Sequence, residues 1–186
     1  MFFTDKNSEK VSFESSLYIS NNIKKKILKS ITSEISYSIW SFQKDLRKAE
    51  LYRNSDSIFG KLLYCFFRRR YNIKGRKLDI EVYDGCFDKG LKIFHGSIVV
   101  HPNAVIGKNC VFHGQNCIGN DGKSDAAPVI GDDVNIGVGA KIIGGVTIAN
   151  NITIGANSVV TKSFEEDGIT IAGIPARKLC SKGKLR

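Results

Sequence analysis

Two hydrophobic rhythms divide this chain. From Phe94 onward, every sixth residue is apolar: Phe94, Val100, Ile106, Phe112, Ile118, Ile130, Ile136, Ile142, Ile148, Ile154 and Val160. The one failing position is Ser124. A period of six fits neither the 3.6 of a helix nor an ordinary hairpin. It fits a parallel β-helix, a solenoid of short strands and sharp corners. Three six-residue sides make one coil, with inward aliphatics stacked between coils about 4.8 Å apart. Glycine and asparagine recur between the aliphatics, where corners need positive φ. The failure at Ser124 predicts a loop thrown out of the coil over residues 120–128, and loops on rigid scaffolds commonly carry function.

Before Phe94 the rhythm is helical. Ile23, Ile27, Ile31, Ile35 and Ile39 recur every four residues, and Leu28, Trp40, Phe42 and Leu46 extend the stripe. That predicts an amphipathic helix packed on a neighbouring domain or subunit. A second helix is expected over about residues 57–71, with Ser57 or Asp56 as its N-cap. Gly75, Gly85 and Gly90 punctuate the passage out. The fold expected is mainly β: an α-helical region over residues 1–89, then a β-helix with a C-terminal tail over residues 90–186.

Composition changes this picture only in places. No apolar stretch approaches the roughly 20 residues of a membrane span, and residues 1–5 lack a signal peptide's features. A cytoplasmic location is expected. The net charge of +10 is uneven: residues 1–90 carry 18 basic and 11 acidic side chains. Such a balance suits nucleic acid, an anionic membrane surface or a phosphorylated ligand. No nucleic-acid motif is present. Arg68-Arg69-Arg70 follows an apolar run at 62–67. It reads first as a helix end whose cations suit the dipole, with weak membrane-surface contact left open. Five cysteines without a CxxC pair read as small buried hydrophobes.

The candidate chemistry is histidine. Phe-His-Gly occurs at Phe94-His95-Gly96 and again at Phe112-His113-Gly114, 18 residues on. Three sixes bring the two histidines one above the other. His101, 12 residues before His113, faces elsewhere and reads as structural. No histidine follows His113, so no metal is expected.

Ile98-Val99-Val100-His101-Pro102, His113-Gly114-Gln115-Asn116-Cys117-Ile118-Gly119, Ile136-Gly137-Val138-Gly139-Ala140 and Ala172-Gly173-Ile174-Pro175-Ala176 resemble the hexapeptide-repeat acyltransferases. Closest in look are the serine O-acetyltransferases and the related O-acetyltransferases of polysaccharide biosynthesis. The resemblance implies a left-handed β-helix and acetyl-CoA as co-substrate. It implies His113 as general base and His95 as a second catalytic histidine that orients His113 or holds the acceptor. Val138 and Ala156 match positions lining the pantetheine, with Gly119, Gly137 and Gly155 beside them. Lys162 and Arg177 are expected at the CoA phosphates, under a turn holding Gly173 and Pro175. Asn116, Asp121 and Lys123 are the candidate acceptor contacts, with a plain surface loop as the alternative. The expected assembly is a homotrimer or dimer of trimers. Two positions depart from the serine-type pattern: Val99 stands where an aspartate is expected and Ala127 where a histidine is expected. On that ground the expected acceptor is a sugar or glycan hydroxyl, with serine as the alternative and a non-catalytic scaffold as the second.

Overall fold

The computed structural model describes residues 13–18, 23–32 and 34–180. It divides into two compact units, Met1–Ile80 and Glu81–Arg186. The division precedes the expected boundary because the first coil begins before Gly90. The Ile106 N–H already bonds the Cys86 carbonyl at 2.8 Å, and Phe87 bridges to Ile106.

The first unit is helical: α1 (residues 13–18), α2 (Ile23–Ile31), α3 (Ile35–Tyr52) and α4 (Ile58–Leu78). The isoleucine stripe is therefore not one helix. It continues across a break between Ile31 and Ile35. Ile39, Trp40, Phe42 and Leu46 are buried, while Ile27, Leu28, Ile31 and Ile35 are exposed. Ser57 caps α4, its hydroxyl accepting from the Gly60 N–H at 2.9 Å. The helix runs on past Tyr71 and stops at Asp79, which turns left-handed with φ 56°. Gly75 lies inside it, since a Cβ there would sit 2.5 Å from the Ile80 carbonyl oxygen. The glycine permits a close approach rather than ending the element.

Buried charge joins these helices. The fully buried Arg47 guanidinium pairs with Glu14 at 2.7 Å and Glu50 at 2.8 Å. Burial works against its charge, and the two carboxylates more than offset that, holding Arg47 above its ordinary pKa. Buried Asp45 takes Lys74 at 2.6 Å and Arg70 at 3.0 Å.

The second unit is a parallel β-helix. Strand β1 (Ile80–Glu81) lies at the junction. One face stacks β3 (Ile98–Val100), β6 (Cys117–Gly119), β9 (Lys141–Ile143) and β12 (Val159–Val160). The second stacks β4 (Val105–Ile106), β7 (Val129–Ile130) and β10 (Thr147–Ile148). The third stacks β2 (Lys92–Ile93), β5 (Val111–Phe112), β8 (Asn135–Ile136), β11 (Thr153–Ile154) and β13 (Thr170–Gly173). The antiparallel β14 (Ala176–Cys180) closes that last sheet. All ten six-spaced residues after Phe94 point inward, each at most 2% exposed. Corners turn at left-handed residues, among them Asn109, Asp133 and Asn151 at φ 55–57°.

Register explains both irregularities of the six-residue count. Val129 pairs with Thr147 and Asn135 with Thr153, each 18 on. Across the preceding coil Val105 pairs with Val129 and Val111 with Asn135, each 24 on. The loop at 120–128 thus adds one side's worth of residues. In the first coil Ile93 pairs with Phe112, 19 on, so Ile93 fills the core and Phe94 is 40% exposed.

Two cysteines depart from expectation: Cys65 and Cys180 are exposed, whereas Cys86 and Cys110 are buried. Among the described residues, no helix is long and apolar enough to cross a membrane.

Candidate active site

The register of 19 changes the histidine pair. His95 does not lie above His113. Phe94 lies above His113, and His95 lies above Gly114. A Cβ on Gly114 would come within 2.9 Å of the His95 Cβ. Two columns then run down one corner of the prism, each set by the ladder Ile93–Phe112–Ile136–Ile154–Ile171. One position after each inward residue stand Phe94, His113, Gly137, Gly155 and Ala172. Two positions after stand His95, Gly114, Val138, Ala156 and Gly173.

The strip below the histidines is nearly free of side chains because the coils approach too closely to admit them. A Cβ on Gly137 would sit 2.7 Å from the Ala156 nitrogen, and one on Gly155 would sit 2.7 Å from the Ala172 Cβ. The Val138 and Ala156 N–H groups make no hydrogen bond among the described residues. Two open donors one coil apart suit an extended chain bearing amide carbonyls.

The two imidazoles differ in their surroundings. His113 is half-buried, and its ring stacks on Phe94 with centroids 4.9 Å apart and 27° between planes. Its Nε2 lies 2.8 Å from Asn135 Oδ1. With that amide oxygen as acceptor, Nε2 carries the proton, and the ring's lone pair is on Nδ1, beside its own Cβ. His95 is exposed, and neither of its nitrogens is hydrogen-bonded among the described residues. His101 Nδ1 accepts from the Asn103 N–H at 3.2 Å.

The strip gathers His95, His113, Gly137, Val138, Gly155, Ala156 and Gly173, with Pro175 in the turn after Gly173. Arg177 is exposed on β14 and pairs in register with Ala172, at the strip's far end. Other expected residues lie elsewhere. Asn116 is 2% exposed and holds the corner: its Oδ1 accepts from the Gly114 N–H at 2.9 Å, and its Nδ2 donates to the Gly137 carbonyl at 2.8 Å. Its amide is not available to an acceptor, because it satisfies the backbone. Gly119 ends β6 at the next corner, where the loop with Asp121 and Lys123 leaves the coil. Asp121 accepts from the Lys123 N–H at 3.0 Å, which holds its carboxyl below the usual range. Lys162 follows β12 at that same corner and lies over the Phe164 ring at 5.4 Å. Within one chain it is not on the strip.

Two neighbours of His113 were not legible: Phe94, counted as core, and Asn135. Counting 18 on from Val111 gives Val129, whereas the loop's six extra residues make Asn135 its true neighbour. The one available signal was Asn135 preceding Ile136 as Val111 precedes Phe112.

Residues 127–162 match the family model for the bacterial transferase hexapeptide (six repeats). A serine acetyltransferase of Synechococcus elongatus is 32% identical over 108 residues, 56% of this chain and 44% of that protein. One of Staphylococcus epidermidis is 37% identical over 109 residues, covering 56% and 51%. Among solved structures, a serine acetyltransferase of Brucella abortus superposes with TM-score 0.71 at 18% identity, over 96% of this chain and 71% of that one. One of Neisseria gonorrhoeae in complex with serine gives 0.66 at 24%, over 95% and 70%. The second unit is a left-handed hexapeptide-repeat β-helix. The chain spans about half the length of the curated relatives it matches.

These relatives overturn the expected sugar acceptor, since they are serine acetyltransferases. The two departures were a weak basis for that choice. Asn135, not residue 99, meets the His113 ring, and Val99 lies outward on the β3 face.

Proposed function

We propose that this protein is an acetyl-CoA-dependent serine O-acetyltransferase. The observation that carries the reading is the pair of imidazoles heading a strip lined by glycines, alanines and Val138, with open backbone donors. Similarity to serine acetyltransferases supports the acceptor. The strip along Gly137, Val138, Gly155 and Ala156 would take the pantetheine arm, with the thioester at its histidine end. Arg177 would meet the nucleotide end.

The chemistry needs a base with an accessible lone pair. Nε2 of His113 is committed to Asn135, while His95 offers its own. We therefore assign the base to His95 and make His113 the ordered partner that fixes the acceptor beside it, exchanging the roles expected from sequence. His95 takes the hydroxyl proton as the serine oxygen attacks the thioester carbonyl. The tetrahedral intermediate collapses, the C–S bond breaks, and the imidazolium returns the proton to the CoA sulfur. A positioned base supplies roughly 10²–10⁴ in rate, and alignment and donors to the developing oxyanion supply more. A trimer sets the loop at 120–128 and Lys162 of one copy beside the strip of another, completing a shared cleft.

The experiment is free-thiol release from acetyl-CoA with L-serine as acceptor. Expected is serine-dependent turnover that His95→Ala lowers by about 10²–10⁴ and His113→Ala lowers less, both variants melting as the parent does. No serine-dependent thiol release by folded protein would sink the reading.

A further inference from the structure

Helix α4 carries more exposed apolar surface and more positive charge than packing requires. Ile58, Phe59, Leu62 and Phe66 are 52–80% exposed. At 3.6 residues per turn, Ile58, Leu62 and Phe66 form one stripe with Phe59 at its side. Arg69, Ile73 and Arg76 continue that stripe toward the C-terminus, all exposed. The buried side of α4 is elsewhere: Gly60, Tyr71 and Gly75, with Tyr71 edge-on to Phe42 of α3. The helix has seven cations (Lys61, Arg68, Arg69, Arg70, Lys74, Arg76, Lys77) and no acidic residue. Asp45 pairs with Arg70 and Lys74. Lys61, Arg69, Arg76 and Lys77 make no ion pair among the described residues. A favourable helix dipole accounts for cations in the last turn only, which are Arg76 and Lys77.

Three occupants fit such a face unequally. A second copy laid stripe on stripe offers these cations no acidic partner: parallel, Arg69 and Arg76 meet like charge, and antiparallel they meet apolar side chains. Nucleic acid would use the cations and leave four large apolar side chains in water. An anionic lipid surface takes both features. The apolar side chains enter the acyl boundary while the long cationic side chains reach phosphate level.

We propose that α4 docks the protein on an anionic lipid surface through Ile58, Phe59, Leu62 and Phe66, with Lys61, Arg69, Arg76 and Lys77 on the headgroup phosphates. Docking is independent of acetyl transfer, so the two readings fail separately.

The test is co-sedimentation of the full chain with phosphatidylcholine vesicles, with and without about 30 mol% phosphatidylglycerol. Expected is at least about tenfold stronger partition onto the anionic vesicles, weakening with salt. Phe59→Ser with Leu62→Ser lowers partition about tenfold or more, and Arg69→Gln with Arg76→Gln removes the preference for anionic lipid. Both variants change exposed side chains, so their melting curves match the parent. Absent partition, or partition untouched by Phe59→Ser with Leu62→Ser, overturns the proposal. So does equally tight binding to duplex DNA. Concentration-dependent self-association by light scattering, abolished by that same variant, would give the face to a second copy instead.

Discussion

Each unit is stabilised internally in its own way. The β-helical unit stacks aliphatic residues in register, one above another. The helical unit is joined by charge: Arg47 between Glu14 and Glu50, and Asp45 between Lys74 and Arg70. A stacked aliphatic column tolerates small errors, because each residue loses only its own contacts. A buried ion network does not, because removing one member leaves another charged and unpaired in low dielectric. The units should therefore fail differently.

The largest effect is expected at Arg47. Arg47→Ala leaves Glu14 and Glu50 facing each other without a cation, at a cost of about 3–5 kcal/mol. Urea denaturation followed by Trp40 fluorescence reads this, since the chain's one tryptophan lies in the helical unit. The same comparison makes a sharper demand. Arg47→Met combined with Glu14→Leu and Glu50→Leu should recover most of that loss, because apolar residues of similar volume can replace a buried ion cluster. A triple variant no better than Arg47→Ala would show that the charges themselves specify the helix packing.

In the β-helical unit, Ile136→Ala removes a fully buried side chain stacked between Phe112 and Ile154. The expected loss is about 2–5 kcal/mol, set by how far adjoining coils collapse into the space. No compensating second change should exist, since no charge is orphaned. Cooperative loss of signal from coils on both sides, by hydrogen exchange, would mark the solenoid as a unit. Loss confined to residues 135–137 would break that view.

The pattern that was legible is the one that repeats. Ten six-spaced residues predicted ten buried positions, and the failure at Ser124 marked the loop correctly. What misled was register. Phe94 matched the rhythm by six and by its Phe-His-Gly copy, yet one extra residue in the first coil turned it outward and displaced His95 from above His113. A one-residue slip moves every side chain to the other face, and no single-sequence count detects it. In the helical unit, the isoleucine period persists from Ile31 to Ile35, so periodicity hides the end of α2. Nothing in the sequence marks Arg47 or Asp45 as buried, because Glu14, Arg70 and Lys74 lie on other helices.

A third effect is chemical. Burial pushes the Cys110 thiol from its ordinary 9.0 up to about 12. A group whose folded pKa is raised contributes stability that is complete below the unfolded value and lost as pH climbs to the folded one. The β-helical unit should therefore hold its stability up to about pH 9 and lose about 1.4 kcal/mol per pH unit above it. Between about pH 8 and about pH 10.5 that amounts to about 2 kcal/mol. Denaturation of Cys110→Ala across the same range should show a shallower alkaline decline. Equal slopes in parent and variant would assign the decline to other groups.

The smallest effect separates holding a fold from holding a catalytic geometry. Asn135 lies outward on β8, and its side-chain oxygen accepts one hydrogen bond, from His113 Nε2 at 2.8 Å. If that bond only stabilises the corner, Asn135→Ala costs about 0.5–1.5 kcal/mol of stability and leaves turnover unchanged. If it sets the imidazole, the loss appears in kcat, up to about tenfold, with KM for serine little altered. The second outcome is expected, because the stacked backbone already fixes the corner through the His113 N–H to the Ile136 carbonyl and through Asn116. Asn135→Asp keeps an acceptor at the same place and should restore most of the rate. A kcat that falls equally in Asn135→Ala and Asn135→Asp would mean that the Asn135 amide, not merely an acceptor oxygen, is what His113 requires.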